Sequence, residues 1–186
     1  MVAKPFSGVP ATVESIAPAA GATAGGTAVT IEGSGFAEGA KVSIGGEATE
    51  VKIESETEIK AKTPAHAAGT VEVVVTQGGL SSTGGPDFSY IAAPKVSGVT
   101  PAEGSTKGGT TIKVKGSGFR ESSKLKIGST EAKSVAVVSE TEITARTPAG
   151  SAGKAEVVVT DAYGTSTGGP SFTYITPPVV EAVEPA

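Results

Sequence analysis

The chain reads as an all-β protein of two tandem Greek-key β-sandwiches, and three observations predict this. Gly33-Ser34-Gly35-Phe36 returns as Gly116-Ser117-Gly118-Phe119 with matching sequence on both sides, so the chain is two copies of one unit. Within each copy, apolar and polar residues alternate over short segments with the period of half-buried strands, and no helical period runs anywhere. Glycine (26 residues) and proline (12 residues) punctuate those segments, which is the spacing of turns in an antiparallel sandwich rather than of helices. A small closed barrel is the structural rival.

Residues 1–12 form an arm whose Pro5, Gly8 and Pro10 favour an extended path. Domain 1, residues 13–93, opens on Val13-Glu14-Ser15-Ile16 and passes Gly25-Gly26 into a strand in which Val29 and Ile31 alternate with Thr30 and Glu32. Lys41 to Ile44, Val51 to Ile53 and Ile59 to Ala61 repeat the pattern, Thr63-Pro64 ends it, and Val71 to Val75 and Phe88 to Ile91 close a set of seven strands. Gly33 and Gly35 are expected to turn the chain at positive φ, and Phe36 to drop into the core beside Phe88 and Tyr90. Domain 2, residues 94–178, copies this at an offset of 83 residues through Ile127 and of 84 from Ser139 onward, so one residue is inserted between those points. Its core rings are Phe119, Phe172 and Tyr174. Residues 179–186 resemble the first strand of a third copy: a cut from a longer repeat protein, the relic of a lost domain, or a strand given to another subunit.

Composition limits what such units can do. There is no Cys, so no disulfide joins the layers, and no Trp, so burial rests on Val, Ile and Ala. The net charge of -4 makes the chain as a whole a poor non-specific polyanion binder, and nucleic acid is not an expected partner. The charge is uneven: residues 13–95 carry five Lys against nine Glu and one Asp, residues 96–179 seven Lys and two Arg against six Glu and one Asp. That asymmetry points to oppositely charged contact surfaces or to freely drifting surface charge. The start Met1-Val2-Ala3-Lys4-Pro5-Phe6 lacks the apolar run of a secretory signal, and no stretch is long and apolar enough to insert in a membrane.

No catalytic constellation is legible. The single His, His66, sits in a turn and is replaced by Gly150 in the second copy, which reads as a solvated turn residue rather than a base. The pairs Glu56 with Glu58 and Glu140 with Glu142 look solvated, without the enclosed cleft that acid and base work wants. The only Asp residues are Asp87 and Asp161, so neither a metal centre nor a cofactor is expected. Gly25-Gly26-Thr27 and Gly108-Gly109-Thr110 lack the Lys and the following helix of a phosphate loop. Tyr163 is the one aromatic that looks loop-borne, where the first copy has Gly79, and it is the candidate carbohydrate contact.

Taken in order, Val13-x-x-Ile16-x-Pro18-x-x-Gly21, Gly25-Gly26-Thr27, Gly33-Ser34-Gly35-Phe36, Val42-x-Ile44-Gly45-Gly46, Thr57-Glu58-Ile59, Thr63-Pro64-Ala65, Gly69-Thr70-Val71-x-Val73-x-Val75 and Phe88-x-Tyr90 resemble the IPT/TIG domains. The resemblance covers nearly the whole chain, twice. It implies immunoglobulin-like folds, similar to parts of plexin-type receptors, Rel-type DNA-binding proteins, starch-acting bacterial enzymes, bacterial surface proteins and tailed-phage virion proteins. In most of these the domain is a spacer or contact surface rather than a catalyst.

The expected function is therefore non-catalytic. The first expectation is a tailed-phage decoration protein on the virion surface, its arm residues Val2, Phe6 and Val9 inserting between capsid or tail subunits. The alternative is an adhesion, spacer or carbohydrate-contact pair from a larger bacterial surface protein or polysaccharide-acting enzyme. It would work outside the cell or on the bacterial cell surface, contacting a host surface or a carbohydrate.

Overall fold

Alternation in sequence becomes alternation of burial: in the strand Ala28–Ser34, Val29 and Ile31 are buried while Ala28, Glu32 and Ser34 face solvent. The structure, a computed structural model, describes residues 6–178. Every regular element among them is a strand. The chain divides into two units between Ala92 and Ala93.

Unit one contains β1 (Thr12–Ala17), β2 (Ala20–Ala22), β3 (Ala28–Ser34), β4 (Lys41–Ile44), β5 (Thr49–Ile53), β6 (Glu58–Lys62), β7 (Gly69–Gln77), β8 (Leu80–Ser81) and β9 (Asp87–Ile91). One sheet runs β1-β3-β6-β5; the other runs β2-β9-β7-β4, with β8 folded back on β7. The pairings are antiparallel except β2 with β9, because the chain leaves β1, passes the cis Ala17–Pro18 bond and joins the opposite sheet. Two faces of Val, Ile and Ala close on each other, with Ile31, Ile44, Ile59, Val73, Val75 and Phe88 wholly buried.

Unit two repeats this as β10 (Lys95–Thr100), β11 (Glu103–Ser105), β12 (Thr111–Ser117), β13 (Lys124–Ile127), β14 (Thr130–Glu131), β15 (Lys133–Ser139), β16 (Glu142–Arg146), β17 (Gly153–Asp161), β18 (Gly164–Thr165) and β19 (Ser171–Ile175). Its sheets are β10-β12-β16-β15 and β11-β19-β17-β13-β14, with β18 on β17. These are immunoglobulin-like sandwiches. The seven segments that alternate in sequence are strands in each unit. The additional β2, β8, β11, β14 and β18 have two or three residues each, too short to hold a period.

Phe36, Phe88, Tyr90, Phe119, Phe172 and Tyr174 are each at most 3 % exposed. Phe36 shares one core cluster with Phe88 and Tyr90, and the departure from the sequence expectation lies in the glycines. The rings in mutual contact are Phe88 with Tyr90 and Phe172 with Tyr174, edge to face at 5.0 Å in both units; Phe36 instead rests on Gly33. Only the second glycine of the motif turns at positive φ, Gly35 at 72° and Gly118 at 71°. Gly33 lies within β3, where a Cβ would overlap the Thr12 carbonyl and stand 2.8 Å from the Phe36 ring. The motif thus combines one turn glycine with one space-making glycine.

Three further expectations fall near the ends. Ala11 is buried and Thr12 already pairs with Ser34, so the sandwich begins inside the expected arm. The stretch 179–186, expected as the start of a third copy, and Val2 lie outside the described residues.

Because Phe36 and Phe119 fill equivalent core positions, Phe36→Ala and Phe119→Ala are each expected to lower unfolding free energy by about 3 to 5 kcal/mol. Urea denaturation, read separately for each variant, measures this; an unchanged midpoint would remove the ring from the core.

Candidate functional site

Where the two copies keep the same framework, they also keep its polar fastenings. Thr63 Oγ1 accepts the Thr27 N–H and Thr147 Oγ1 accepts the Thr110 N–H, both at 3.2 Å. Ser82 and Ser166 accept the N–H groups of Val75 and Val159 at 2.9 Å. Among the described residues no buried side-chain polar atom lacks a partner. At their loop ends the copies diverge at two places in each unit.

The first is the corner beside the Gly-Ser-Gly-Phe turn. In unit one Gln77 is buried there: its Oε1 accepts the Ala37 N–H at 3.0 Å and its Nε2 donates to the Gly35 carbonyl at 2.7 Å. Unit two has Asp161 for Gln77 and Arg120 for Ala37. Arg120 Nη1 donates to the Gly118 carbonyl at 2.9 Å and to Asp161 Oδ2 at 2.7 Å, so a guanidinium takes over the donor role of the amide. The Asp161 side chain is wholly buried, and its Oδ1 accepts the Tyr163 N–H at 2.8 Å.

This corner holds the arm and loop residues marked in the sequence. Tyr163 is half-buried, with the Arg120 guanidinium over its ring at 4.9 Å, so one face of the ring is already used. Phe6 is half-buried on its own unit, its ring lying where a Cβ on Gly78 would be. Val9 is 61 % exposed. The structure therefore commits Phe6 to an internal contact and leaves Val9 facing solvent.

The second place is the loop end of the β4–β7 and β13–β17 pairs. His66 is not a solvated turn residue. It is half-buried, its ring covers Gly45 and stacks on Tyr90 with centroids 4.9 Å apart, and its Nδ1 lies 2.8 Å from the Ala67 carbonyl. Tyr90 in turn donates its hydroxyl to the Ile44 carbonyl at 2.8 Å. With Gly150 in place of His66, Tyr174 turns to the other wall and donates to the Pro148 carbonyl at 2.9 Å. Burial pushes both phenols above their ordinary pKa, so both remain donors through neutral pH.

The inserted residue of copy two lies at the same place. Ala48 bonds back to Val42 across five intervening residues, whereas Ala132 bonds back to Leu125 across six, which puts the insertion in the turn Gly128-Ser129-Thr130. The missing imidazole and the longer turn together frame an open cleft of about 600 Å³, lined in part by Thr106, Ser129, Thr130, Ser151, Lys154 and Tyr174. Sequence reading missed this cleft, although both of its signals were visible: the His66 to Gly150 exchange and the one-residue offset.

In each glutamate pair one member, Glu56 or Glu140, is exposed, while Glu58 and Glu142 are half-buried beneath lysine side chains. Glu142 lies on an outer sheet face, where the Lys115 ammonium holds its carboxyl below the usual carboxylate range, with Lys113 at 3.6 Å adding to this. Any stability from this pairing is present at neutral pH and fades as pH falls through the lowered pKa. No group of three His, Cys, Asp or Glu gathers at metal-binding distance among the described residues.

Exchanging one corner for the other tests the substitution logic. Arg120→Ala strands a buried carboxylate and is expected to cost about 3 kcal/mol. Arg120→Ala with Asp161→Gln recreates the amide corner of unit one and recovers most of that loss. Guanidinium unfolding of wild type, single and double variants measures both; equal destabilisation in the two variants would refute the equivalence.

The IPT/TIG domain family matches residues 11–90 and 94–174. The chain is 32 % identical over 167 residues to human (Homo sapiens) fibrocystin-L, a match covering 87 % of this chain and 4 % of that protein. Among solved structures it is similar to the extracellular region of plexin A4 at 17 % identity and TM-score 0.49, covering 89 % of this chain and 18 % of that one. It is also similar to SGBP-B, from a xyloglucan utilization locus in Bacteroides uniformis, at 21 % identity and TM-score 0.42, covering 89 % and 50 %. With both copies matched nearly end to end, the chain belongs to the IPT/TIG domain family.

Proposed function

We propose that the chain is a pair of non-catalytic immunoglobulin-like contact modules of a longer extracellular or cell-surface protein, and that unit two makes the ligand contact through its open cleft. The observation that carries this reading is the convergence of two independent changes, a lost imidazole and an inserted residue, on one cleft while the core beneath it stays apolar in both units. The chain spans only 4 % of human fibrocystin-L, which supports reading the two units as modules within a larger array. The cleft is walled by hydroxyls and small side chains, a lining that suits the hydroxyl groups of a saccharide. Tyr163, half-covered by Arg120, serves the corner of the domain in this reading rather than the sugar.

The virion expectation placed its anchor in the arm residues Val2, Phe6 and Val9. The Phe6 ring lies on Gly78 of its own unit, which counts against an anchoring role for that residue.

Gly150→His restores the residue of unit one; because a Cβ at Gly150 would stand 2.6 Å from the Tyr174 ring, the ring must move, and the variant is expected to fill the cleft with the Tyr174 hydroxyl returned toward Ile127, its circular dichroism spectrum checking that the fold is kept. On a glycan array, wild type gives a signal that Gly150→His loses and Tyr163→Ala keeps. A blank wild-type array removes the saccharide from the proposal, and a signal lost only in Tyr163→Ala moves the contact to the corner.

A further inference from the structure

Excess positive charge is concentrated on one sheet of unit two. Strands β10, β12, β15 and β16 carry Lys95, Lys113, Lys115, Lys133 and Arg146 against a single acidic residue, Glu142. The equivalent strands of unit one, β1, β3, β5 and β6, carry Lys52, Lys60 and Lys62 against Glu14, Glu32, Glu50 and Glu58. Strand register puts the five cations on the solvent face: Lys133 lies opposite Arg146, Arg146 opposite Thr111, Lys115 opposite Glu142, and Lys95 opposite Ser117. Lys113 follows Thr111 by two residues on β12, so it shares that face.

In unit one each of these lysines has a carboxylate: Lys52 with Glu54 at 2.9 Å, Lys60 with Glu58 at 3.4 Å, Lys62 with Glu50 at 2.7 Å. In unit two Glu142 is shared by Lys113 and Lys115, and among the described residues no ion pair joins Lys133 or Arg146. The exchange is local. Lys62 faces Thr49 across the ladder and is bridged to Glu50; unit two has Arg146 for Lys62, Lys133 for Thr49 and Ser134 for Glu50. Glu50 and Ser134 sit at the same bulge with φ of 51° and 49°, so the backbone is preserved while a carboxylate is removed and a second cation is set opposite the first. Like charges directly opposite on a sheet are unfavourable for the fold by itself, and an anion relieves them.

We propose that this face binds a linear acidic saccharide through its sulfate or carboxylate groups, a contact separate from the cleft. The surface is a regular sheet. Alternate residues along a strand lie about 7 Å apart and neighbouring strands about 5 Å apart, a grid that a chain with acidic groups on successive sugars can follow. None of the four strands carries an aromatic residue, so the face has no platform on which nucleobases stack.

The test is binding of the full chain to heparin and to polygalacturonate, by calorimetry at low and at physiological salt. Wild type is expected to bind at least one of them with an affinity that falls as salt rises. Lys133→Glu and Ser134→Glu are each expected to weaken binding about tenfold or more, whereas Lys60→Glu in unit one leaves it unchanged. Lys133→Glu also creates a cross-strand pair with Arg146, so its melting temperature stays at or above that of wild type and unfolding does not explain its loss of binding. Three outcomes overturn the proposal: no wild-type binding to either saccharide at low salt, undiminished affinity in Lys133→Glu, or tighter binding of duplex DNA or polyglutamate than of either saccharide.

Discussion

The contact between a phenylalanine ring and a glycine recurs throughout the protein, and the packing depends on it. The chain has five Phe residues, and each lies where the Cβ of a glycine would be: Phe6 at Gly78, Phe36 at Gly33, Phe88 at Gly21, Phe119 at Gly116 and Phe172 at Gly104. In a thin sandwich with few rings, the large side chains find volume by lying on bare backbone, and Phe88 and Phe172 add one tyrosine ring each. Gly21 and Gly104 serve this purpose on the short strands that run parallel to β9 and β19, so the change of sheet after β1 and β10 is tied to the same contact. A methyl group at any of these glycines meets an aromatic ring with little room to move.

This constraint also explains which parts of the structure were legible in sequence. Alternation of Val and Ile with polar residues marks the strands because the sandwich buries one face of each sheet, and the repeated Gly-Ser-Gly-Phe marks the units. The separate roles of Gly33 and Gly35 were not legible, since glycine is chosen for positive φ in one case and for missing volume in the other, with the same letter in both. His66 was misread for a similar reason. A turn residue replaced by Gly150 looks dispensable along the chain, yet its ring fills space over Gly45 and against Tyr90, contacts made by residues distant in sequence. The cationic sheet face was visible only as a difference in net charge between halves, because register, not spacing, brings Lys133 beside Arg146.

Duplication supplies an internal control. The two units share strand order, ring contacts and the hydroxyl fastenings at Thr63 and Thr147, so their differences report on what the framework leaves free. Those differences gather at the corner by the turn, at the cleft and on one sheet face. At the cleft the turn is one residue longer, while at the corner and on the sheet face the backbone is nearly unaltered and the chemistry of the side chains changes, as at the bulge shared by Glu50 and Ser134. A fold that holds its shape through backbone pairing and glycine-seated rings leaves its surfaces open to specialisation.

The exchange of Gln77 for the Arg120 and Asp161 pair also constrains the order in which the copies diverged. From the Ala37 and Gln77 arrangement, acquiring Asp first would bury a carboxylate with no cation beside it. Acquiring Arg first places a partly exposed guanidinium next to an amide that can accept its hydrogen bond. Only the second route avoids a poorly folding intermediate. If the amide corner is ancestral, its conversion was entered through the arginine and completed by the aspartate, and the way back runs through the same arginine and amide pair, because loss of the arginine first would strand the carboxylate.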